Sequence, residues 1–149
     1  SGPTNLNPIK GVNLIKVKSA DEMLESTLNN LPTDVAIFSA AVADFKVKNK
    51  EKEKIKKNKI LELSLEKNTD ILGHISNHNS LRPKLVIGFA SETSELEKNS
   101  QKKLLEKNCD WIIANDISNP DIGFDSEYNE VSIFYKNMKN EKFYYILSS

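Results

Sequence analysis

Three short apolar runs, at residues 34–43, 84–90 and 110–116, constrain the fold of this chain more than any other feature of its sequence. Each run is almost continuous in apolar residues, a pattern typical of a strand that is buried on both faces of a sheet. Residues 19–31 precede the first run and residues 94–107 precede the third, and both carry apolar side chains at helical spacing. This alternation predicts an α/β fold with a Rossmann-like, mostly parallel sheet in three layers.

Weaker patterns complete the predicted fold. Residues 12–17 are predicted to form a strand, and residues 60–65 alternate in polarity as a half-exposed strand does. A short helix is expected to begin near Thr69. The last two strands, at residues 131–136 and 142–147, are expected to form a C-terminal antiparallel hairpin.

The helices carry their own start and stop signals. The first is predicted to begin after Ser19, because Glu22 three residues later completes a capping box, and to be closed by Pro32. The helix at 94–107 is expected to turn three leucines inward. These are Leu96, Leu104 and Leu105.

Composition narrows the possible classes of protein. The 149 residues suffice for a single domain, and the net charge is zero, so the overall field does not recruit nucleic acid. No apolar run approaches the length of a membrane helix, and a cytoplasmic protein is expected. The single cysteine, Cys109, is predicted to be a buried structural thiol. His74 and His78 have helical spacing but no third ligand, so no metal site is expected there.

The ends of the first two buried runs carry the candidate site residues. Ala40 and Ala41 would let a ligand approach the backbone, and Asp44 would hold a cation or a hydroxyl group. The alternative is tight sheet–helix packing with a helix-capping aspartate. After the second run, Phe89 beside Gly88 offers a flat face to a nucleotide base, or is simply a core residue next to a small one.

Basic residues supply a second part of the candidate site. Eight lysines lie between Lys46 and Lys59 with few aliphatic neighbours, which indicates a mobile, solvated segment. Because this segment follows Asp44 directly, it is placed to close over a triphosphate, although most such runs are ordinary surface. Lys103 and Lys107 lie one helical turn apart and either add to that positive field or are solvated. The sequence contains no glycine-rich phosphate-binding motif.

Taken in order, these segments resemble the phosphopantothenate–cysteine ligase family of coenzyme A biosynthesis. The pair at 40–45 and 53–57, with Lys54 ten positions after Asp44, is the most specific part. The other matching segments are 68–71, 88–93, 103–107, 114–116 and 123–124.

The resemblance implies a two-step reaction and a set of partners. CTP with Mg²⁺ would activate 4′-phosphopantothenate as an acyl-cytidylate, and cysteine would then displace CMP. The resemblance also implies a homodimer, and FMN only if a flavin-dependent decarboxylase domain precedes this one. It implies neither a nucleic-acid partner nor a membrane.

The same resemblance implies a role for individual residues. Lys54 matches the catalytic lysine of a mobile loop, and Asp44 matches an aspartate near the nucleotide and its cation. Substrate-lining positions match Ala40 and Ala41. Nucleotide-binding positions match Phe89, Lys103 and Lys107.

Two departures from the family pattern qualify this expectation. Thr69 stands where the family usually has proline, and both residues suit a helix start. Ser1 to Pro3 resemble the end of the family's second strand, so the first strand and its glycine-rich loop are expected to be missing and the polypeptide alone to be weak or inactive.

A non-catalytic nucleotide-binding or dimerisation module of the same fold is the alternative. Nucleic-acid binding through the lysine run is a third class of function. It is disfavoured because that run lacks arginine, the side chain best suited to read base edges.

Overall fold

A computed structural model describes residues 1–4, 7–49, 62–117, 128–136 and 141–146. The described residues form three helices and seven strands. The helices are α1 (Ala20–Leu28), α2 (Ile71–Ser76) and α3 (Leu96–Lys107); the strands are β1 (Val35–Phe38), β2 (Phe45–Val47), β3 (Leu65–Lys67), β4 (Leu85–Glu92), β5 (Trp111–Asp116), β6 (Tyr128–Tyr135) and β7 (Glu141–Ile146). Among these residues, no helix has both the length and the apolar character needed to cross a bilayer.

Five strands form the main sheet in the order β1-β4-β5-β6-β7. The pairs β1–β4 and β4–β5 are parallel, whereas β6 runs antiparallel to both β5 and β7. This confirms the predicted α/β fold with a mostly parallel sheet and a C-terminal antiparallel hairpin. Strands β2 and β3 pair separately as a short antiparallel ribbon.

The core lies between one face of this sheet and helices α2 and α3. Val86 of β4 and Ile112 of β5 are fully buried on that face, beneath Leu72 of α2 and Leu104 of α3. Gly88 lies at the centre of the contact. A methyl group added there would approach Leu72 Cδ2 to 2.6 Å, so the bare backbone is what allows α2 to pack this closely.

Strand β1 departs from the sequence prediction in both length and burial. It ends at Phe38, so residues 39–43 lie outside the strand that was predicted to include them. Val35 is 47% exposed and Ile37 is 61% exposed, whereas the prediction had the strand buried on both faces. The reason is position: in the described sheet β1 pairs only with β4, and one of its faces has no described helix against it.

The predicted strand at residues 12–17 is not formed in the described structure. Val12 is exposed and only Val17 within this segment is buried. Ser1 nevertheless makes one pair of parallel-type hydrogen bonds here, since its amino group donates to Ile15 O at 2.6 Å and Val17 N donates to Ser1 O at 2.9 Å. A single bridge of this kind is too short to constitute a strand.

Two further boundaries and one burial prediction differ from expectation. Strand β3 begins at Leu65 and not before it, while residues 60 and 61 of the predicted strand lie outside the described residues. Helix α3 begins at Leu96, two residues later than predicted, because Glu95 takes a left-handed conformation with φ of 49°. Leu105 was expected to face inward but is 69% exposed. It follows Leu104 by one residue, a step of about 100° around a helix, so the two cannot share a narrow buried face.

A polar cluster holds together the N-terminal ends of the parallel strands. Arg82 donates through Nε to Ser76 O at 2.7 Å and through Nη2 to both carboxylate oxygens of Asp110. The Asp110 carboxylate also accepts from Val86 N at 2.7 Å. Cys109 beside it is fully buried, as predicted. This end of the sheet is therefore occupied by structural contacts, and the opposite edge is left for ligands.

Candidate functional site

A cleft opens where the chain leaves β1, at the carboxyl edge of the parallel strands. Ala40 and Ala41 line it, together with the start of α1. Its volume is about 530 Å³. Most of the remaining lining is apolar, with polar groups contributed by Lys18, Ser19, Asp21, Lys46 and Asn68. In open α/β sheets this edge is where ligands bind, so the position of the cleft agrees with its predicted use.

Asn68 fixes the segment that forms the wall of this cleft, residues 40–44. Its side-chain amide donates to Ala43 O at 2.7 Å, and its backbone N–H donates to Asp44 O at 2.8 Å. The residue is only 8% exposed, and its Oδ1 is buried with no hydrogen-bond partner in the structure. Two bonds from one buried residue therefore hold an otherwise irregular segment in place. Asn68 lies in the 68–71 segment that resembles the family, but the sequence pattern predicted no role for it.

Asp44 is exposed at the end of this wall segment, next to the cleft-lining residues Ala43 and Phe45. Its backbone carbonyl accepts a hydrogen bond from Asn68 N, and the residue as a whole is exposed to solvent. The described residues contain no group of three or more histidine, cysteine, aspartate or glutamate side chains that would hold a metal ion by themselves. A single carboxylate suits Mg²⁺ that arrives with a nucleotide, because such an ion takes most of its ligands from phosphates and water.

Lys103 and Phe89 are brought together, although not through the aromatic ring. Lys103 Nζ donates to the carbonyl oxygen of Phe89 at 2.8 Å. The backbone N–H of Leu85 donates to Asp34 O, just before β1. Backbone groups of every second residue in a strand point to the same side, and Phe89 lies four residues after Leu85, so the backbone groups of Phe89 also face β1. The β1–β4 ladder stops at the Phe38–Gly88 pair, which leaves the Phe89 carbonyl free for Lys103. The ammonium group is thereby placed at the strand-end edge.

Lys107 has a carboxylate partner that sequence reasoning did not identify. Its Nζ lies 2.7 Å from Asp70 Oδ2. Asp70 is the N-cap residue of α2, but its side chain makes no capping hydrogen bond and is directed to Lys107 instead. Gly88 of β4 is covered by Leu72. Helix α2 fills the space beside Gly88, which agrees with the packing alternative for this glycine.

The start of the lysine run is ordered and paired. Lys46 belongs to β2, where it was expected to be part of a mobile segment. Its Nζ lies 2.8 Å from Asp21 of α1 and 3.7 Å from Glu66 of β3. Hydrogen bonding to Asp21 raises the pKa of Lys46 above its usual value. The pair with Asp21 ties the β2–β3 ribbon to the mouth of the cleft, whereas the pair with Glu66 lies within the ribbon.

Lys54 lies outside the described residues, so its predicted role and its proximity to Asp44 stay predictions. Of the other predicted residues, Ala40 and Ala41 lie in the cleft, and Asp44 flanks it. Lys103 and Lys107 lie on α3, one turn apart, with acceptors on β4 and at the start of α2. Neither lysine nor Phe89 is among the residues that line the cleft.

Comparison with known proteins decides the family. Residues 1–146 match the family described as the DNA/pantothenate metabolism flavoprotein C-terminal domain. The chain belongs to this family.

Two curated relatives and one solved structure are similar to this chain. The chain is 45% identical over 145 residues to the coenzyme A biosynthesis bifunctional protein CoaBC of Borreliella burgdorferi, covering 95% of this chain and 36% of that protein. It is 37% identical over 139 residues to the CoaBC protein of Haemophilus influenzae, covering 92% and 34%. A crystal structure of the C-terminal domain of CoaBC superimposes with a TM-score of 0.70 at 34% identity, covering 99% of this chain and 63% of that one.

The chain thus spans about a third of the length of these curated relatives. The match covers nearly all of this chain, including the cleft and the α2–α3 lysine contacts. The family therefore applies to the site described above, and the activity of the longer proteins is a separate matter.

Proposed function

We propose that this domain carries the phosphopantothenate–cysteine ligase step of coenzyme A biosynthesis. In this proposal the domain activates the carboxylate of 4′-phosphopantothenate with CTP and then joins it to the amino group of cysteine. The observation that carries the proposal is the family match over residues 1–146, combined with a ligand-sized cleft at the strand ends where Ala40 and Ala41 were predicted to line a substrate.

The chemistry requires a leaving group and a means of stabilising charge. A carboxylate oxygen of the substrate attacks the α-phosphorus of CTP, forming a carboxyl–phosphate bond while pyrophosphate departs. The cysteine nitrogen then attacks the acyl carbon, loses a proton to solvent or a nearby base, and CMP departs with the electrons of the broken carbon–oxygen bond. Both departures develop negative charge on phosphate oxygens, which fixed cations stabilise.

The residues of the chain divide between these tasks. The largely apolar wall at Ala40 and Ala41 suits the uncharged middle of an extended substrate, and its exposed backbone offers hydrogen bonds. Lys103 and Lys107 are proposed to meet the nucleotide, with Phe89 beside the base. Asp44 is proposed to meet the Mg²⁺ that accompanies CTP. Lys54 is proposed as the catalytic cation on the strength of the resemblance alone.

The remaining parts of the proposal rest on the resemblance. The active protein is proposed to be a homodimer located in the cytoplasm, with no nucleic-acid or membrane partner. FMN is proposed only for a decarboxylase domain, should one precede this chain in its reading frame. Sedimentation of the full-length protein at micromolar concentration tests the dimer, since a single monomeric species would contradict it.

The ligase proposal is tested by phosphopantothenate-dependent release of pyrophosphate from CTP. We expect release by the protein expressed from the full reading frame that encodes this chain, and a loss of at least tenfold in kcat/KM in Lys103→Met. Lys102→Met is the matched control, because Lys102 is the preceding residue on α3, is exposed, and pairs with Glu106 at 3.8 Å. No pyrophosphate release with either CTP or ATP would reject the proposal.

A non-catalytic module of the same fold is the second candidate. It is favoured by one observation: Phe89, Lys103 and Lys107 are not among the residues that line the cleft. Such a module would be stabilised thermally by CTP with Mg²⁺ without turning it over. Measuring the thermal midpoint and pyrophosphate release on the same preparation separates the two candidates.

A further inference from the structure

Two features of the α2 start depend on each other. The Asp70 carboxylate, which makes no capping bond to its own helix, reaches across to Lys107 Nζ. Gly73 lies below it in the first turn of α2. A methyl group on Gly73 would overlap Asp70 Oδ2 and lie 3.1 Å from Asp70 Cγ, so the carboxylate occupies the space that any larger residue at position 73 would need.

We propose that Gly73 and Asp70 are positioning residues for Lys107. Gly73 leaves room for the carboxylate of Asp70, and that carboxylate holds the ammonium group of Lys107 at a fixed place near the start of α2. The inference rests on the proposed function in one respect, namely that Lys107 meets the nucleotide.

The degree of exposure makes this pair suitable for positioning. The side chain of Lys107 is 31% exposed and that of Asp70 is 42% exposed, so a phosphate can reach the ammonium group while the ion pair limits its motion. An unpaired lysine has many rotamers, and fixing one before a ligand arrives reduces the entropy lost on binding. Lys103, one turn earlier, is fixed in the same way by the carbonyl oxygen of Phe89. The two ammonium groups are thus both oriented in the free protein.

The first experiment reads out Lys107 directly and needs no nucleotide. The folded protein is labelled briefly with an amine-reactive acylating reagent, and the extent of modification at each lysine is measured by mass spectrometry. We expect Gly73→Ala and Asp70→Ala each to raise the labelling rate of Lys107 about threefold, because the ammonium group loses its partner. Lys102 is the internal reference, since its exposed pair with Glu106 is unchanged.

A double-mutant cycle shows whether Gly73 acts through Asp70. Alanine is a better helix former than glycine, so Gly73→Ala should raise the thermal midpoint once Asp70→Ala has removed the overlapping carboxylate. In that background it should leave Lys107 labelling unchanged. Equal labelling of Lys107 in the original protein and in Gly73→Ala would overturn the inference, as would the same increase in both backgrounds.

The second experiment connects the pair to nucleotide binding. We expect Gly73→Ala and Asp70→Ala to weaken binding of CTP with Mg²⁺ about threefold to tenfold by calorimetry, and the double variant to be no weaker than Asp70→Ala alone. Tighter binding in Asp70→Ala would overturn the inference, because Asp70 would then compete with the nucleotide. If the original protein binds no CTP while the labelling results hold, the proposed function fails and the Lys107 positioning stands.

Discussion

The side-chain amide of Asn68 donates to the carbonyl oxygen of Ala43 at 2.7 Å, across 25 residues of sequence. This bond, with the backbone bond from Asn68 N to Asp44 O, holds the wall of the cleft against the segment that leads into α2. One buried residue therefore joins the wall of the cleft to the segment that leads into α2.

The first prediction follows from that bond. Asn68→Asp keeps the shape of the side chain but replaces the donor with a carboxylate oxygen facing a carbonyl, so we expect a loss of about 1–3 kcal/mol in the free energy of unfolding. We also expect weaker CTP binding, because the wall segment that carries Asp44 is released. Urea denaturation and calorimetry measure the two effects.

A matched control for this substitution exists on α2. Asn77 also donates from its side-chain amide to a carbonyl oxygen, that of Gly73, at 2.7 Å, but it is exposed and outside the cleft. Asn77→Asp should change stability by less than about 1 kcal/mol and leave CTP binding unaltered. Equal effects at both positions would show that Asn68 has no special role in the cleft.

The second prediction concerns Gly88 and the packing of α2. Gly88→Ala would place a methyl group 2.6 Å from Leu72 Cδ2 and 2.9 Å from Ile112 Cδ1, and we expect it to destabilise the fold by about 1–3 kcal/mol. Leu72→Val removes the nearer clashing carbon, so the cost of Gly88→Ala should be smaller in that background. Thermal unfolding of the four proteins measures this coupling, and strict additivity would contradict the packing explanation.

Local signals in the sequence predicted the helices well. Ser19 caps α1 as expected, since its Oγ accepts from Glu22 N at 3.2 Å. In a standard capping box the glutamate side chain accepts from the backbone N–H of the N-cap residue. Here Glu22 Oε2 accepts instead from the N–H of Lys18, the residue before the N-cap, at 2.7 Å. Such signals are accessible because donor and acceptor lie within four residues of one another.

Burial and ligand geometry were harder to predict because they depend on distant partners. Val35 and Ile37 have the composition of a core strand, and only the position of β1 in the sheet decides that they are exposed. Asn68, Asp70 and Asp21 each contact a residue at least 25 positions away, and nothing in the local sequence distinguishes them from surface polar residues. Resemblance to a family identified the lysines, and the structure supplied their partners.

The third prediction concerns the cluster at the opposite end of the sheet. Arg82 bonds to three backbone carbonyl groups and to Asp110, which joins the C-terminal ends of α2 and α3 to the strands. Arg82→Lys keeps the charge but loses the planar fork, and we expect a cost of about 1–3 kcal/mol in urea denaturation. Lys84→Met is the control, because Lys84 pairs with Asp34 in a fully solvated position. That change should alter stability by at most about 1 kcal/mol; a larger loss there than in Arg82→Lys would contradict the prediction.

The last prediction is a pH dependence that arises from Cys109. Burial raises the pKa of its thiol to about 11, from an ordinary value of 9.0. The unfolded chain therefore loses this proton near pH 9 while the folded chain keeps it. Stability from this group is fully present below pH 9 and is lost as the pH rises toward 11. Two pKa units correspond to about 3 kcal/mol at most.

The test compares the original protein with Cys109→Ala by urea denaturation between pH 7 and pH 10.5. The alanine variant is expected to be less stable at neutral pH, because it leaves a small cavity, but to lose less stability as the pH rises. Tyrosine and lysine titrations occur in both proteins and cancel in the difference. The gap between the two should narrow above pH 9 by about 2 kcal/mol, and two parallel curves would show that the folded thiol ionises normally.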